Sequence, residues 1–194
     1  MSKALKRFVA QPALPEGEQV LSTWLQLRVQ PPRASVRLQV ASQSVSAATA
    51  IAIRDVMLPQ QPNSWAGTDP VICRIAPDAW LLQSRRDSAS DLIAATRSKS
   101  EALFCAVTDL SDALVTLELE GPDSYALLAR GCGLDLSPAA FGARACARTR
   151  LAQCAVLVRH AAPARIELIV DRSLAQYVHG WLLDAAMGLS GEAP

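Results

Sequence analysis

Few side chains in the 194-residue chain could move a proton or hold a metal. Histidine is the usual base near neutral pH, and there are two, His160 and His179. Neither has a serine, cysteine or carboxylate beside it in a nucleophile arrangement, so both are assigned to packing or surface roles. The five cysteines stand at 73, 105, 132, 146 and 154, an odd number with no C-x-x-C pair, whereas zinc sites and disulfide frameworks want close, paired spacings. They are read as reduced thiols. Cys73, Cys105 and Cys154 lie in apolar, strand-like runs where a thiol behaves as a small hydrophobe. Asp109 and Asp112 flank a turn. Two carboxylates that close could serve a metal or a proton transfer, but aspartates at turns ordinarily bond local backbone amides, and that reading is preferred. No G-x-G-x-x-G follows a strand, and Gly131-Cys132-Gly133 comes after a helix instead of before one, so it ends the helix and cradles no phosphate. The residues therefore nominate no catalytic, cofactor-binding or metal-binding position on this chain.

Composition narrows the classes further. A net charge of +1 gives no long-range attraction to nucleic acid or to an acidic membrane surface. Hydrophobic residues make up 51% and charged residues 19% of the chain, against about 25% charged in an average protein. Either alanine inflates the apolar fraction, or part of the surface is covered by a partner. No apolar run reaches the roughly 18–20 residues of a membrane span, and Lys3, Lys6 and Arg7 precede no apolar segment, so a cytoplasmic protein without a membrane contact is expected.

The elements that must position these residues follow from periodicity. Val115, Leu117 and Leu119 alternate with Thr116, Glu118 and Glu120, the pattern of a half-buried strand. Gly121-Pro122 stops it, and an apolar helix with Tyr125, Leu127, Leu128 and Ala129 follows. Upstream, residues 1–32 form an arm bounded by Pro12, Pro15, Pro31 and Pro32. Val20, Leu21, Trp24 and Leu25 share a helical face there, and Leu27 and Val29 alternate. With prolines on both sides, the arm is expected to stay out of any central sheet and to pack on its own domain or on a neighbouring subunit. Val36 to Val40 reads as a strand and 42–52 as a helix. Residues 59–70 read as a loop in which Trp65 is tucked against its own protein. Val71–Ile75 and Trp80–Gln83 form a hairpin through Ala76-Pro77-Asp78-Ala79. A helix over 90–100 is capped by Asp87, Ser88 or Ser90. Strands at 103–109, 144–151, 153–159 and 166–170 follow, and Ser137-Pro138 opens a helical turn. The last helix starts at Asp171 or Ser173 and buries Leu174, Tyr177, Val178, Trp181, Leu182 and Ala185. Such an order points to an α+β fold with helices on one face of mostly antiparallel sheets.

Several segments, in order, carry a family likeness. The strand, the Gly-Pro break and GPDSYALLARGCGLDL (Gly121 to Leu136) resemble the gamma subunit of heterotetrameric sarcosine oxidase. So do PNSWAG (Pro62 to Gly67), APDAWLL (Ala76 to Leu82), Phe141, the CARTRLA run from Cys146, and RIELIVDRSLAQYVHGWLLDAA (Arg165 to Ala186). The likeness covers roughly residues 33–188 and leaves an arm at 1–32 and a tail at 189–194. It implies a duplicated α+β fold similar to the folate-binding domain of the aminomethyltransferase T-protein. It also implies a non-catalytic subunit partnered by alpha, beta and delta chains, with FAD, FMN, NAD and zinc held by those partners and no cofactor here. The complex would oxidise sarcosine to glycine, form hydrogen peroxide and pass the methyl carbon to tetrahydrofolate. Related folate-using proteins carry a K-G-C-Y-x-G-Q-E-like segment, but here Arg130-Gly131-Cys132 runs into Gly133-Leu134-Asp135 at a different place in the fold. The alternative is a stand-alone folate-binding or one-carbon transfer protein on the same scaffold. An RNA-associated module is disfavoured by the charge and by the lack of an aromatic and basic stripe.

Overall fold

The computed structural model describes residues 12–189; the arm before Pro12 and the tail after Leu189 lie outside them. Strands β1 (Gly17–Ser22) and β2 (Leu25–Val29) form an antiparallel hairpin, and Leu25, Leu27 and Val29 are buried on one face of β2. The helical spacing expected around Trp24 is thus overruled by the period of two that begins at Leu25. Strand β3 (Ala34–Val40) follows, then a 3-10 turn and a single-turn helix α1 (Val45–Ala48), shorter than the helix expected over 42–52. A small ribbon, β4 (Ala52–Ile53) with β5 (Val56–Met57), precedes β6 (Trp65–Ala66). The predicted hairpin is β7 (Val71–Ala76) with β8 (Ala79–Ser84). Helix α2 (Ala89–Lys99) is capped by the Ser88 hydroxyl, which accepts the Asp91 N–H. Then come β9 (Cys105–Asp109), β10 (Leu114–Glu120), α3 (Ser124–Ala129), β11 (Cys146–Leu151), β12 (Cys154–Ala162), β13 (Arg165–Asp171) and α4 (Ala175–Met187). The buried line of α4 is Ala175, Val178, Leu182 and Ala186, while Tyr177, expected inward, is exposed. Among the described residues no helix is long and apolar enough to cross a membrane.

Two antiparallel sheets result. The larger runs β1-β2-β10-β13-β12-β11 and the smaller β6-β7-β8-β3-β9. Alternation assigns one face of each to helices. Leu117, Leu119, Val156, Val158, Ile166, Leu168 and Val170 meet α3 and α4, and Val36, Leu38, Val40, Ile72, Trp80 and Leu82 meet α1 and α2. The other two faces pack on each other through Val71, Cys73, Leu81, Cys146, Leu157 and Ile169. The layers are helix, sheet, sheet, helix.

Within the smaller sheet the succession β3, α1, β7, β8, α2, β9 with spatial order β7-β8-β3-β9 is a split β-α-β arrangement. The larger sheet repeats it with β10, α3, β12, β13 and α4, but the strand beside β10, which should follow α4, is β2 from the N-terminal segment. The arm expected to stand apart is therefore the closing strand of the second half. Pro31 and Pro32 sit in the passage from one sheet to the other, where no ladder needs their N–H.

Candidate functional site

The faces that meet between the sheets are apolar at one end and polar at the other, and the polar end is where chemistry concentrates. Inward alternation on β13 places Glu167 between Ile166 and Leu168, both of which face the helices. The antiparallel register then sets Glu118 opposite Glu167, Arg28 opposite Glu118, Arg159 on the other side of Glu167, and Cys146 opposite Arg159. Glu18 on β1 stands opposite Arg28 and pairs with it, so one row crosses all six strands as glutamate, arginine, glutamate, glutamate, arginine, cysteine. Adjacent carboxylates repel, and the row survives because cations flank them. Arg33, arriving on the passage between β2 and β3, closes a fork on Glu167, its two terminal nitrogens donating to the two oxygens at 3.2 and 2.8 Å. Arg159 donates to Glu167 Oε2 through Nε at 3.0 Å and through Nη2. Arg28 reaches Glu118 at 3.4 Å. Arg85 approaches Glu167 at 3.9 Å and donates to the Gln30 side-chain oxygen at 3.1 Å.

Trp65 joins this cluster from the short edge strand. Its indole N–H donates to the His160 carbonyl at 3.0 Å, and its ring carries the guanidiniums of Arg159 at 4.6 Å and Arg144 at 5.1 Å. The tryptophan is tucked against its own protein, as expected, yet it is also a wall of a cavity of about 210 Å³.

Glu167 is a poor base here. Burial alone would raise its pKa, but the hydrogen bonds from Arg33 and the charges of Arg159 and Arg33 outweigh burial and hold it below the usual glutamate range. His160 is buried with Nδ1 at 2.9 Å from the Phe141 carbonyl and 3.1 Å from that of Gly142, which assigns the proton to Nδ1 and gives the ring a bracing role. On α4, burial lowers the pKa of His179, which keeps it neutral at pH 7. Asp109 Oδ1 accepts from the Ser111 hydroxyl at 2.7 Å and its backbone N–H at 2.9 Å, bonds that lower its pKa and make it the turn aspartate expected. Cys73 and Cys146 face each other across the two sheets; their mutual hydrogen bond and burial push the Cys73 thiol up, so it stays protonated. All five cysteines are free thiols. Among the described residues no group of three His, Cys, Asp or Glu side chains is placed to hold a metal.

The cluster escapes periodicity because its members come from far-apart segments. Its only local trace is a lone charge inside an apolar strand, Glu167 in RIELIVD and Arg159 in CAVLVRH.

Comparison with known proteins agrees with the architecture. A relative described as sarcosine oxidase subunit gamma from Corynebacterium sp. (strain P-1) is 30% identical over 139 residues, covering 70% of this chain and 66% of that protein. One of the same description from Arthrobacter sp. is 30% identical over 132 residues, 66% of this chain and 63% of that one. The chain thus spans just under two thirds of the length of these relatives. Its fold superposes on a chain of the heterotetrameric sarcosine oxidase from Corynebacterium sp. U-96 in complex with pyrrole 2-carboxylate, with a TM-score of 0.76, 24% identity, and coverage of 88% of this chain and 87% of that one. It also superposes on the glycine cleavage system aminomethyltransferase T from Bartonella henselae, with a TM-score of 0.57, 15% identity, and coverage of 78% and 43%. The profile of the sarcosine oxidase, gamma subunit family matches residues 38–188, and the chain belongs to that family.

Proposed function

We propose that the chain is the non-catalytic gamma subunit of a heterotetrameric sarcosine oxidase, held by alpha, beta and delta chains that carry FAD, FMN, NAD and zinc. The complex, working in the cytoplasm, takes sarcosine to glycine, reduces oxygen to hydrogen peroxide and passes the methyl carbon to tetrahydrofolate. The observation that carries this reading is the family match over residues 38–188. The polar cluster supports it, because Glu167, the more deeply buried of its two buried carboxylates, is tied down by two arginines and is unsuited to moving a proton. The subunit's contribution is then surface, and an obligate contact of this kind buries about 2,000 Å² or more. Co-expression with the flavin-bearing chains, followed by affinity capture through a tag on this one, should recover a yellow, active assembly. The same chain expressed alone should be colourless and inactive toward sarcosine. Sarcosine oxidation or tightly held flavin in the isolated chain would overturn the proposal.

The fold likeness to the aminomethyltransferase supports a second reading, a stand-alone folate-binding or one-carbon transfer protein. Calorimetric titration of the isolated chain with tetrahydrofolate separates the two, since only the second requires tight binding.

A further inference from the structure

Each half of the fold ends in a closing strand, β9 in the smaller sheet and β2 in the larger, and the two differ at their outer edges. The outer edge of β2 is taken by β1, whose Leu21 packs against the core that α4 covers. β9, the counterpart of β2, is the last strand of its sheet. Its pairing with β3 is flanked by two bonds, from the Ala41 N–H to the Phe104 carbonyl at 2.9 Å and from the Leu110 N–H to the Ser35 carbonyl at 2.8 Å. Those bonds fix the parity of the ladder. Phe104, Ala106, Thr108 and Leu110 turn their main-chain groups toward β3, so Cys105, Val107 and Asp109 turn theirs outward, where no described residue meets them. Proteins ordinarily blunt such an edge with charge, proline, a bulge or shortness. In the two main sheets, β1 carries Glu18 and a bulge between Val20 and Ser22, β11 carries exposed Arg148 and Arg150, and β6 has two residues. β9 keeps an unbroken register and bears its one charge, Asp109, at its end.

Apolar surface lies on both faces of this edge. On the helix side, Leu103, Cys105 and Val107 floor a groove of about 390 Å³ between β9 and the end of α2, rimmed by Arg97 and Glu101. The Cys105 Sγ, 3.7 Å from the Ser100 carbonyl, holds the strand against that helix end. On the opposite face Phe104 is 82% exposed, the highest value among the large apolar side chains described. We infer that β9 takes a strand from a neighbouring subunit, antiparallel as β1 lies on β2, with one apolar side chain in the groove beside α2 and another over Phe104. Main-chain hydrogen bonds supply the affinity of such an addition and the flanking side chains its selectivity. The inference rests on the proposed assembly and names a place where a partner grips this subunit. A second copy of the chain is the weaker occupant, because five residues paired with five bury far less than the roughly 1,200 Å² of a stable interface. A segment of a larger subunit has no such limit, since the rest of that subunit adds to the contact.

Amide exchange, read at single residues by mass spectrometry with electron-transfer fragmentation, is compared between the full chain alone and the assembly captured with the flavin-bearing chains. In the chain alone the amides of Ala106, Thr108 and Leu110 should be slow and those of Cys105, Val107 and Asp109 fast. In the assembly the second set should slow by about tenfold or more. Val107→Pro removes an outward N–H and no bond to β3, and should cut recovery of the partner chains by about tenfold or more, because the added strand loses its central bond and meets a ring. Phe104→Ser leaves the backbone untouched and should weaken recovery in the same direction. Both variants should keep the circular dichroism of the wild-type chain. If the wild-type chain captures no partner, the subunit reading fails and this inference fails with it. If partners are captured while the three outward amides stay fast, or while both variants are recovered like wild type, the strand addition alone is overturned. Protection of those amides in the chain alone also overturns it: in a monomer the chain covers its own edge, and in a dimer the occupant is a second copy.

Discussion

Glu167 has 1% of its surface exposed and is bonded by Arg33 and Arg159, so removing its carboxylate strands two guanidiniums in the layer between the sheets. Glu167→Ala should cost about 3–5 kcal/mol, the usual consequence of breaking a buried ion pair from one side. In a chain of this size that lowers the melting temperature by about 6–20 °C, readable by circular dichroism. The pH dependence has a definite sign. The folded-state pKa of Glu167 lies below its ordinary value of 4.5, so the folded state holds the proton less tightly than the unfolded chain does. Its contribution is complete above about 4.5 and is lost as pH falls through the folded value. The stability gap between the wild-type chain and Glu167→Gln should therefore be constant from pH 7 to 5 and shrink on further acidification. A gap that widens in acid would contradict the assignment. The acid between Ile166 and Leu168 is legible in the sequence, but its partner is not, because Arg33 lies 134 positions away and no local pattern ties the two.

At the scale of elements, alternation and turn chemistry recover most strands and the long helices, since those depend on neighbours in the chain. The N-terminal hairpin is misread for two physical reasons. Val20, Leu21, Trp24 and Leu25 happen to satisfy a helical spacing, and the strand that pairs with the other edge of β2 begins only at Leu114. Proline at 31 and 32 suggests exclusion from a sheet when it marks only a change of sheet. The hairpin's turn is locked onto the second half at Gly121, which sits at φ +128°, and a Cβ there would lie 2.0 Å from the Trp24 carbonyl oxygen. Gly121→Ala should destabilise by more than the roughly 1–3 kcal/mol of a strained backbone alone, because a carbonyl must also move. At Gly133 a Cβ would meet nothing within 4 Å, so Gly133→Ala serves as the control and should be close to neutral in urea unfolding. Equal effects at the two glycines would mean that the hairpin is not held where the structure has it.

For the whole molecule, the order of the chain decides how the halves are joined. The larger sheet draws on residues 17–29 and 114–171, with the smaller sheet, residues 34–109, inserted between them. Neither end of the smaller half is free, since it enters through Arg33, bonded to Glu167, and leaves at Leu110 toward β10. Further ties cross the layer. The Cys146 N–H donates to the Asn63 carbonyl at 2.8 Å, the Trp65 N–H to the Arg144 carbonyl at 3.0 Å, and the Trp65 indole to the His160 carbonyl. If the smaller sheet opened alone, it would expose Val71, Cys73 and Leu81 on one side and Cys146, Leu157 and Ile169 on the other, and would also uncover the charged cluster. Local opening therefore carries nearly the cost of the layer, and the two sheets should unfold together despite their duplicated plan. Urea unfolding followed by far-ultraviolet circular dichroism should superimpose on tryptophan fluorescence, which samples Trp65 and Trp80 in the smaller half and Trp24 and Trp181 in the larger. The curves should remain superimposed, at a lower midpoint, in Glu167→Ala, because the apolar end of the layer is untouched by that change. Separated transitions in the wild-type chain would show that the layer between the sheets is a contact between two independent domains and not a shared core.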